Sequence, residues 1–293
     1  MLYRRKFLLA LLELLGGEAE KLRIQKLTFL FGQREHPLYD FVPYRFGSFS
    51  ISMASDLGAM AKHGQVAETE NTVIQLAVGN WFSSLSVADQ QALQQVLADF
   101  GKLSTRQLTT YTYRHYPYYA SKSEIANELL NSLELEKVKQ SVRSFSQKQL
   151  FTIGYEGISL ESYLNKLLQN GVRLLVDVRR NPLSMKFGFS KGQLQKYCGM
   201  LDISYVHLPE LGIASEQRQT LNTQADYDAL FEAYKSSTLN ETTATQIKVL
   251  QLLSEYDRIA LTCFESNICQ CHRKPLAESI AALPGFDYRL EHL

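Results

Sequence analysis

The chain has 293 residues, a formal net charge of +1 and a hydrophobic content of 45%. This length is enough for two domains with sizeable cores. The balanced charge produces no overall field that would mark a nucleic-acid or membrane partner. Three of the four cysteines fall within the stretch 261–275. Four cysteines do not make a disulfide framework in so long a chain, so they indicate a reducing compartment and either reactive thiols or a metal.

Residues 1–17 combine a basic start with an apolar run, as signal peptides do. However, Glu13 interrupts the run, no small-residue cleavage site follows cleanly, and apolar residues continue at helical spacing. We therefore expect a first core helix here. Because no stretch approaches the length of a membrane span, we expect a cytoplasmic protein with no membrane partner.

The N-terminal part, residues 1–145, is predicted to be a mostly helical domain. Apolar residues recur there at helical spacing in several segments. The predicted helices cover 2–15, 21–33, 50–62, 86–100, 104–115 and a last segment from 121, with an aromatic loop at 39–50. A short hairpin within 66–78 then completes the element order of a winged helix-turn-helix. The Ser/Gln-rich end of the last segment predicts a domain boundary near 146.

The partner of this domain stays open between DNA and a protein. Lys21, Arg23 and Lys26 are expected to form a basic side of the second helix, and Tyr, Arg and His interleave in 110–119. Such residues can contact phosphates and stack bases. Solvated charges and tyrosines that pack helices together explain the same pattern, and we favour that interpretation.

A family resemblance covers part of this domain. The stretch from Leu22-Arg-Ile-Gln-Lys-Leu through Tyr44-Arg-Phe-Gly-Ser-Phe-Ser to Asp56-Leu resembles the Panacea family, which includes the SocA antitoxin-like domains. Those domains are found with toxin–antitoxin and phage-defence systems. The resemblance implies a helical module that binds protein or nucleic acid and carries no catalysis.

The C-terminal part, residues 146–293, is predicted to be an α/β domain. Short apolar runs alternate there with amphipathic segments, which predicts a mainly parallel, doubly wound sheet with helices on both faces. The predicted strands cover 150–154, 173–178, 204–208, 258–263 and 286–290. The predicted helices cover 159–170, 191–200, 226–236, 241–255 and 275–282.

Polar residues follow four of these strands directly. The carboxyl ends of parallel strands meet at one edge of the sheet, where ligands bind. We therefore expect one common pocket, formed by Gly154, Tyr155 and Glu156, by Asp177 and Arg179, by His207 and Glu210, and by Cys263 and Glu265.

These strand ends also carry a second resemblance. The motifs are Thr152-Ile-Gly-Tyr-Glu-Gly157, Asp177-Val-Arg179 with Asn181-Pro182 and Ser184, Tyr205-Val-His207-Leu-Pro-Glu-Leu-Gly212, and Cys263-Phe-Glu265 with Cys271-His272-Arg273. Over residues 150–282 the chain resembles the domain of unknown function 488 family. That family is largely uncharacterised, so the resemblance implies a fold and a set of site residues but no reaction. Its pattern usually has one Cys before His-Arg, whereas this chain adds Cys269, so a shared site should not require Cys269.

Candidate catalytic residues lie around the cysteine-rich stretch. Cys271 precedes a helix that Pro275 can open, and the helix end and nearby cations are expected to lower its thiol pKa. We predict Cys271 and Cys263 as nucleophiles. The predicted acids or bases are Glu265, Glu156 and His207. The alternatives are cysteines that only pack the loop, and a His207 that only supports its neighbours.

Cations near the predicted edge suit a phosphate or another anion. The predicted substrate-binding residues are Gly154, Tyr155, Asp177, Arg179, Glu210, Arg218, His272 and Arg273. Asp177 either orients Arg179 or forms a structural salt bridge with it. We predict no metal and no cofactor, because the spacing of Cys263, Cys269, Cys271 and His272 is not a zinc-finger or zinc-ribbon pattern; zinc is kept as a lesser alternative.

Together these features predict an enzyme that acts on a nucleotide or nucleic-acid substrate by hydrolysis or group transfer. The alternative is a non-catalytic regulator that senses a nucleotide or binds DNA, in a phage-defence or toxin–antitoxin context. In the second case the same pocket binds a nucleotide-like ligand and the helical domain contacts DNA or a partner protein.

Overall fold

The computed structural model describes residues 1–214, 217 and 221–293. Within them the chain forms two compact units, Met1–Val142 and Arg143–Leu293. Each unit contains its own cluster of buried apolar side chains.

The first unit is mostly helical. Its helices are α1 (Tyr3–Leu14), α2 (Lys21–Gly32), α3 (Ile51–Lys62), α4 (Val87–Phe100), α5 (Thr105–His115), α6 (Ala126–Leu129) and α7 (Ser132–Gln140), with 3-10 turns at Phe82–Ser84 and Pro117–Ala120. Its strands are β1 (Glu18–Glu20), β2 (Val42–Tyr44), β3 (Gly47–Phe49), β4 (Val66–Glu68) and β5 (Thr72–Gln75).

Helix α1 is the centre of this unit. Its residues from Phe7 to Leu12 are all fully buried, as expected of a helix that other elements surround on every side. The predicted hairpin is present as β4 and β5, and β1 extends it to a three-stranded sheet in the order β1-β5-β4. The predicted helices up to residue 115 are confirmed almost residue for residue.

Two details of the first unit were predicted wrongly. The aromatic segment 39–50 is not a loop throughout, because β2 and β3 pair antiparallel within it. The single helix expected from residue 121 is two short helices. The break falls where Asn131 caps α7. Its side chain accepts a hydrogen bond from the backbone N–H of Glu134, and the Glu134 carboxylate accepts one from the backbone N–H of Asn131. Such a capping box starts a new helix.

The predicted basic side of α2 is also wrong. Lys26 is fully buried, and its ammonium donates hydrogen bonds to the carbonyl oxygens of Phe46 and Ser48, at 2.6 and 3.0 Å. Arg23 donates to the carbonyl oxygens of Leu103 and Gly101. These two cations therefore hold α2 against its neighbours and do not face a partner.

The second unit contains the sheet predicted for it. Its strands are β6 (Gln149–Gly154), β7 (Leu174–Asp177), β8 (Ser204–His207), β9 (Arg258–Cys263) and β10 (Arg289–His292). Its helices are α8 (Leu160–Gln169), α9 (Lys191–Gly199), α10 (Gln224–Tyr234), α11 (Thr243–Tyr256) and α12 (Arg273–Ala281), with a π-helical stretch at Lys235–Leu239 and 3-10 turns at Pro209–Leu211 and Ile268–Gln270.

The five strands are all parallel and lie in the order β10-β6-β9-β7-β8. Side chains of a strand alternate between its two faces. Leu261 of β9 therefore belongs to the core under α10, α11 and α12. On the opposite face, Thr262 accepts a hydrogen bond from Tyr163 of α8 at 2.7 Å. The mainly parallel sheet with helices on both faces is thus confirmed.

Within the described residues, none of the helices combines the length and the apolar content needed to cross a bilayer.

The burial of Lys26 predicts a pH dependence. Desolvation lowers the pKa of Lys26 from 10.5 to about 7. Between these values the unfolded chain binds more protons than the folded chain, so stability rises with pH, by at most about 1.4 kcal/mol per pH unit. In urea titrations of the full chain, the free energy of unfolding should rise between about pH 7 and about pH 9.

Lys26→Met should remove this rise, because no buried amine is left to titrate. Lys62→Met is the matched control, since Lys62 is exposed at the end of α3. A rise that persists in Lys26→Met, or disappears in Lys62→Met, would assign the pH dependence to other groups.

Candidate functional site

The site lies where the direction of the chain connections changes at the edge of the sheet. From β7 the chain continues to β8 on one side, whereas from β9 it continues to β10 on the other side. Connections that leave neighbouring strands in opposite directions open a crevice beyond the strand ends, and ligands bind in such crevices. Cys263 ends β9 on one side of this crevice, and Asp177 ends β7 on the other.

Four side chains converge at the end of β9. The sulfur atoms of Cys263 and Cys271, a carboxylate oxygen of Glu265 and a ring nitrogen of His272 all lie within 4.8 Å of one another. The Cys263 sulfur is 3.1 Å from Oε2 of Glu265 and 3.4 Å from Nδ1 of His272. We call these residues the β9–α12 cluster.

The local sequence explains this convergence. β9 places Cys263 at its end, and the following loop contains a 3-10 turn, Ile268–Gln270, where the Asn267 side chain accepts a hydrogen bond from the backbone of Cys269. The chain then turns back so that Cys271 and His272 directly precede α12. The helix begins at Arg273, two positions ahead of the Pro275 start that was predicted.

Burial divides the cluster into an inner and an outer part. Cys263, Cys271 and His272 are 0–1% exposed. Glu265 is half-buried and lines a cavity of about 210 Å³. Glu265 is therefore the member of the cluster that faces space for a ligand.

Two residues hold the loop after β9 in place. The buried Arg273 donates to the carbonyl oxygen of Glu265, and to that of Ser266 at 3.1 Å. Gly154 lets this loop lie against the end of β6, since a Cβ atom there would overlap the carbonyl oxygen of Glu265 and lie 2.8 Å from its carbonyl carbon. Gly154 and Arg273, which were predicted to bind substrate, therefore help to position Glu265.

The expected activation of Cys271 is wrong. Burial raises the thiol pKa of Cys271 well above its ordinary value, hydrogen bonding to Cys263 raises it further, and the charge of Arg273 opposes them. Desolvation outweighs the nearby cation because the sulfur is completely enclosed. In the protein alone, Cys271 is accordingly a neutral thiol.

A second polar group lies at the end of β7. Arg179 donates through Nε and Nη2 to both carboxylate oxygens of Asp177, and through Nη1 to the hydroxyl of Tyr155 and the carbonyl oxygen of Phe189, both at 2.8 Å. The Tyr205 hydroxyl donates to Asp177 at 2.6 Å. The salt bridge that was one of the two predicted roles of Asp177 is present. To contact an anion, the Arg179 guanidinium would have to break these bonds.

The expected single pocket is therefore divided. Asp177 alternates with Val176, which packs in the core on the α10–α12 face, so Asp177 points to the α8–α9 face. Cys263 points to the α10–α12 face, as Leu261 does. Among the described residues, the two groups approach each other at the strand ends, where His272 Nε2 lies 3.2 Å from the carbonyl oxygen of Val178.

The other predicted residues surround these two groups. His207 Nε2 lies 2.9 Å from the carbonyl oxygen of Arg179 and its Nδ1 lies 3.3 Å from the Lys191 ammonium. Glu210 accepts a hydrogen bond from Thr245 at 3.3 Å.

Glu156 is exposed and accepts hydrogen bonds from the backbone and hydroxyl of Ser266, which lower its pKa. It therefore ties the loop after β9 to the end of β6. Cys269 is exposed and lies outside the cluster, and Arg218 lies outside the described residues.

Sequence reasoning missed the wall of the cavity. The residues that line it beside Glu265 are Leu221, Tyr227, Leu230, Phe231 and Gln270. An adjoining cavity of about 450 Å³ shares Phe231 and is also lined by Lys235, Cys269 and Lys274. Most of the wall residues are apolar residues of α10, whose spacing looks like that of a helix face packed on a core, so no signal separates them from core residues.

The fold and the site define a parallel α/β domain with a buried cluster of thiols, imidazole and carboxylate at the carboxyl edge of its sheet. Residues 159–280 match the family described as Domain of unknown function DUF488. The second unit thus contains a DUF488 domain, as the motifs indicated. The comparison with curated proteins found no match, and the Panacea resemblance of the first unit stays a prediction.

Gly154→Ala tests the close approach of the loop. The added methyl group must displace the backbone of Glu265, so we expect a loss of about 1–3 kcal/mol in the free energy of unfolding. Gly192→Ala is the control, because a Cβ at that α9 position meets nothing within 4 Å, and it should not destabilise the chain. Equal effects of the two substitutions in urea titrations would contradict the proposed packing constraint.

Arg179→Met tests whether Arg179 is structural. The side chains of Asp177 and Arg179 are 0% and 6% exposed, so removing the cation leaves a buried carboxylate without its ion-pair partner. We expect a loss of about 3–5 kcal/mol in the free energy of unfolding. Arg180→Met, at an exposed neighbour, should change it by less than about 0.5 kcal/mol. An Arg179→Met chain of normal stability would contradict the structural assignment.

Proposed function

We propose that the DUF488 domain is an enzyme that hydrolyses, or transfers a group on, a nucleotide or nucleic-acid substrate. The observation that carries the proposal is the β9–α12 cluster with Glu265 facing a cavity. Titratable side chains that converge in a crevice at the carboxyl edge of a parallel sheet are typical of active sites.

Within this proposal Glu265 has the leading role. It is the cluster member in contact with the cavity, whereas Cys263 and Cys271 are at most 1% exposed. A carboxylate so placed can accept a proton from a water molecule or a hydroxyl group and return it to a leaving group. The cysteines and His272 then act from behind Glu265 and do not attack the substrate themselves.

The two adjoining cavities support the substrate class. Tyr227 and Phe231 offer aromatic surface for a nucleobase in the smaller cavity. Lys235 and Lys274 line the larger one together with Asp228, Glu232 and Glu278. Lys235 is ion-paired with Glu232 at 2.8 Å, so the support for this substrate class comes from the aromatic wall and not from the charge of the larger cavity. Phe231 lines both cavities, so one ligand could extend from the first cavity into the second.

The non-catalytic alternative has its own support. Both cluster cysteines are buried, and Arg179 and Arg273, two predicted anion contacts, are bonded internally. A domain with this interior can bind a nucleotide-like ligand and report on it without converting it.

For the first unit we propose a partner protein in preference to DNA. The internal bonds of Arg23 and Lys26 remove the basic side that a winged-helix contact with phosphates would use. A cavity of about 820 Å³ has Tyr44, Phe46 and Phe49 in its wall and charged residues around them, namely Glu20, Lys21, Arg45, Glu68 and Glu70. An apolar wall with charged groups around it suits a segment of a partner protein. The four free cysteines are compatible with a reducing compartment such as the cytoplasm.

Turnover by matched variants tests the enzyme proposal. Full-length wild type, Glu265→Gln and Glu255→Gln are incubated with nucleosides, nucleotides and DNA and RNA oligonucleotides, and products are followed by liquid chromatography and mass spectrometry. We expect wild type to convert a member of this panel and Glu265→Gln to be at least about 100-fold slower, because it lacks the acid–base group. Glu255 is exposed on α11, so Glu255→Gln should behave like wild type.

Thermal shift with the same panel separates the two candidate functions. A ligand that stabilises wild type and Glu265→Gln equally, with conversion by wild type only, supports the enzyme. Stabilisation by a nucleotide with no conversion by wild type would instead establish the sensor. Full turnover by Glu265→Gln would place the reaction elsewhere.

A further inference from the structure

The β9–α12 cluster has the dimensions of a zinc site. Ligand atoms about 2.0–2.3 Å from a zinc ion in a tetrahedron lie about 3.3–3.8 Å from one another. The Cys263 sulfur is 3.1 Å from the Glu265 carboxylate and 3.4 Å from His272 Nδ1, and all four donor atoms lie within 4.8 Å of one another. The two Cys263 contacts are within a few tenths of an ångström of tetrahedral separations, and the widest pair would have to close by up to about 1 Å when the metal binds.

The orientation of His272 is that of a metal ligand. Its Nε2 lies 3.2 Å from the carbonyl oxygen of Val178. A carbonyl oxygen only accepts hydrogen bonds, so this contact places the ring proton on Nε2 and leaves the lone pair on Nδ1. Nδ1 faces the Cys263 sulfur. Histidine ligands of metals commonly donate the other ring N–H to a backbone carbonyl in this way.

The surroundings can balance the charge of a loaded site. Two thiolates, one carboxylate and one zinc ion carry a net charge of −1. Arg273 is 1% exposed and begins the helix directly after His272, and among the described residues no carboxylate forms an ion pair with it. A buried guanidinium ion needs compensating negative charge, and a thiolate-rich metal centre beside it supplies that charge.

The residues that converge in the structure are not the set whose spacing counted against zinc. The spacing differs from zinc-finger patterns when Cys269 is counted as a ligand, but Cys269 is exposed. Glu265 replaces it in the cluster, so that Cys263 and Glu265 come from the end of β9 and Cys271 and His272 from the start of α12. These pairs are closer in sequence than the usual zinc spacings, so the spatial convergence of the four donor atoms supports the site and the sequence spacing does not.

We propose that the β9–α12 cluster binds one zinc ion through Cys263, Cys271, His272 and Glu265. Thiolate and imidazole donors in a tetrahedral arrangement select zinc over magnesium or calcium. The three inner donors are buried, and Glu265 occupies the position toward the cavity. In the zinc-bound chain, its carboxylate takes the acid–base role proposed above only when a ligand displaces it from the metal. This site goes beyond the proposed reaction, because it requires neither turnover nor a nucleotide.

Metal content and cobalt spectra of the full chain test the site. Wild type purified without chelator should contain about one zinc ion per chain by inductively coupled plasma mass spectrometry. After zinc removal and addition of Co²⁺, it should show the visible bands of tetrahedral cobalt and a thiolate-to-cobalt charge-transfer band in the near ultraviolet. Cys271→Ser should lose the zinc and weaken the charge-transfer band.

Cys269→Ser is the matched control, since it removes a cysteine of the same loop that lies outside the cluster, and it should keep both the zinc and the spectrum. The cobalt titration of wild type keeps the test decisive even where Cys271→Ser does not fold. A wild-type chain that holds no zinc and gives no thiolate-to-cobalt band, or equal metal loss in Cys269→Ser and Cys271→Ser, would overturn the proposal. These readouts do not involve turnover, so they separate failure of the zinc site from failure of the proposed enzyme.

Discussion

The contact between Arg273 and the loop after β9 is the interaction on which the site depends. The Arg273 guanidinium is buried and donates hydrogen bonds to the carbonyl oxygens of two successive residues, Glu265 and Ser266. Hydrogen bonds from a charged donor in a buried position are stronger than neutral ones and direct the geometry of the groups that they join. Through these bonds the start of α12 is fastened to the end of β9, and the donors on either side of the loop are brought together.

The alternation of side chains along parallel strands decides on which face of the sheet each polar group lies. It places Cys263 on one face of the sheet and Asp177 on the other, although both residues end neighbouring strands. One face then has a cluster of donor atoms with an opening, while the other has a salt bridge closed by Tyr155 and Tyr205. Two groups that look similar in the sequence thus differ in access: Glu265 lines a cavity, whereas Asp177 and Arg179 are buried.

Periodic features of this protein could be predicted from the sequence, and features set by irregular backbone could not. The spacing of apolar residues predicted the long helices, the hairpin β4–β5 and the parallel sheet, because burial repeats with the period of the element. The loop 264–272 has no period. A 3-10 turn within it leaves Cys269 exposed and returns Cys271 to the interior. The members of the β9–α12 cluster therefore could not be identified from their spacing in the sequence. Similarly, the sequence around Lys26 is typical of a surface lysine. Its burial depends on the carbonyl oxygens of Phe46 and Ser48, which accept hydrogen bonds from its ammonium.

The order of strands in the sheet also bears on how the chain is made. β6 pairs with β9 and β10 but with neither β7 nor β8, and Gln149 and Arg258, which are bonded to each other, stand 109 positions apart. Contacts so distant in sequence form slowly and late. During synthesis β6 has no partner strand until β9 has left the ribosome, whereas the first unit already contains all of its own contacts by then. The DUF488 domain is therefore the part of the newborn chain that exposes apolar strand surface for longest, and the part in greatest need of protection from aggregation.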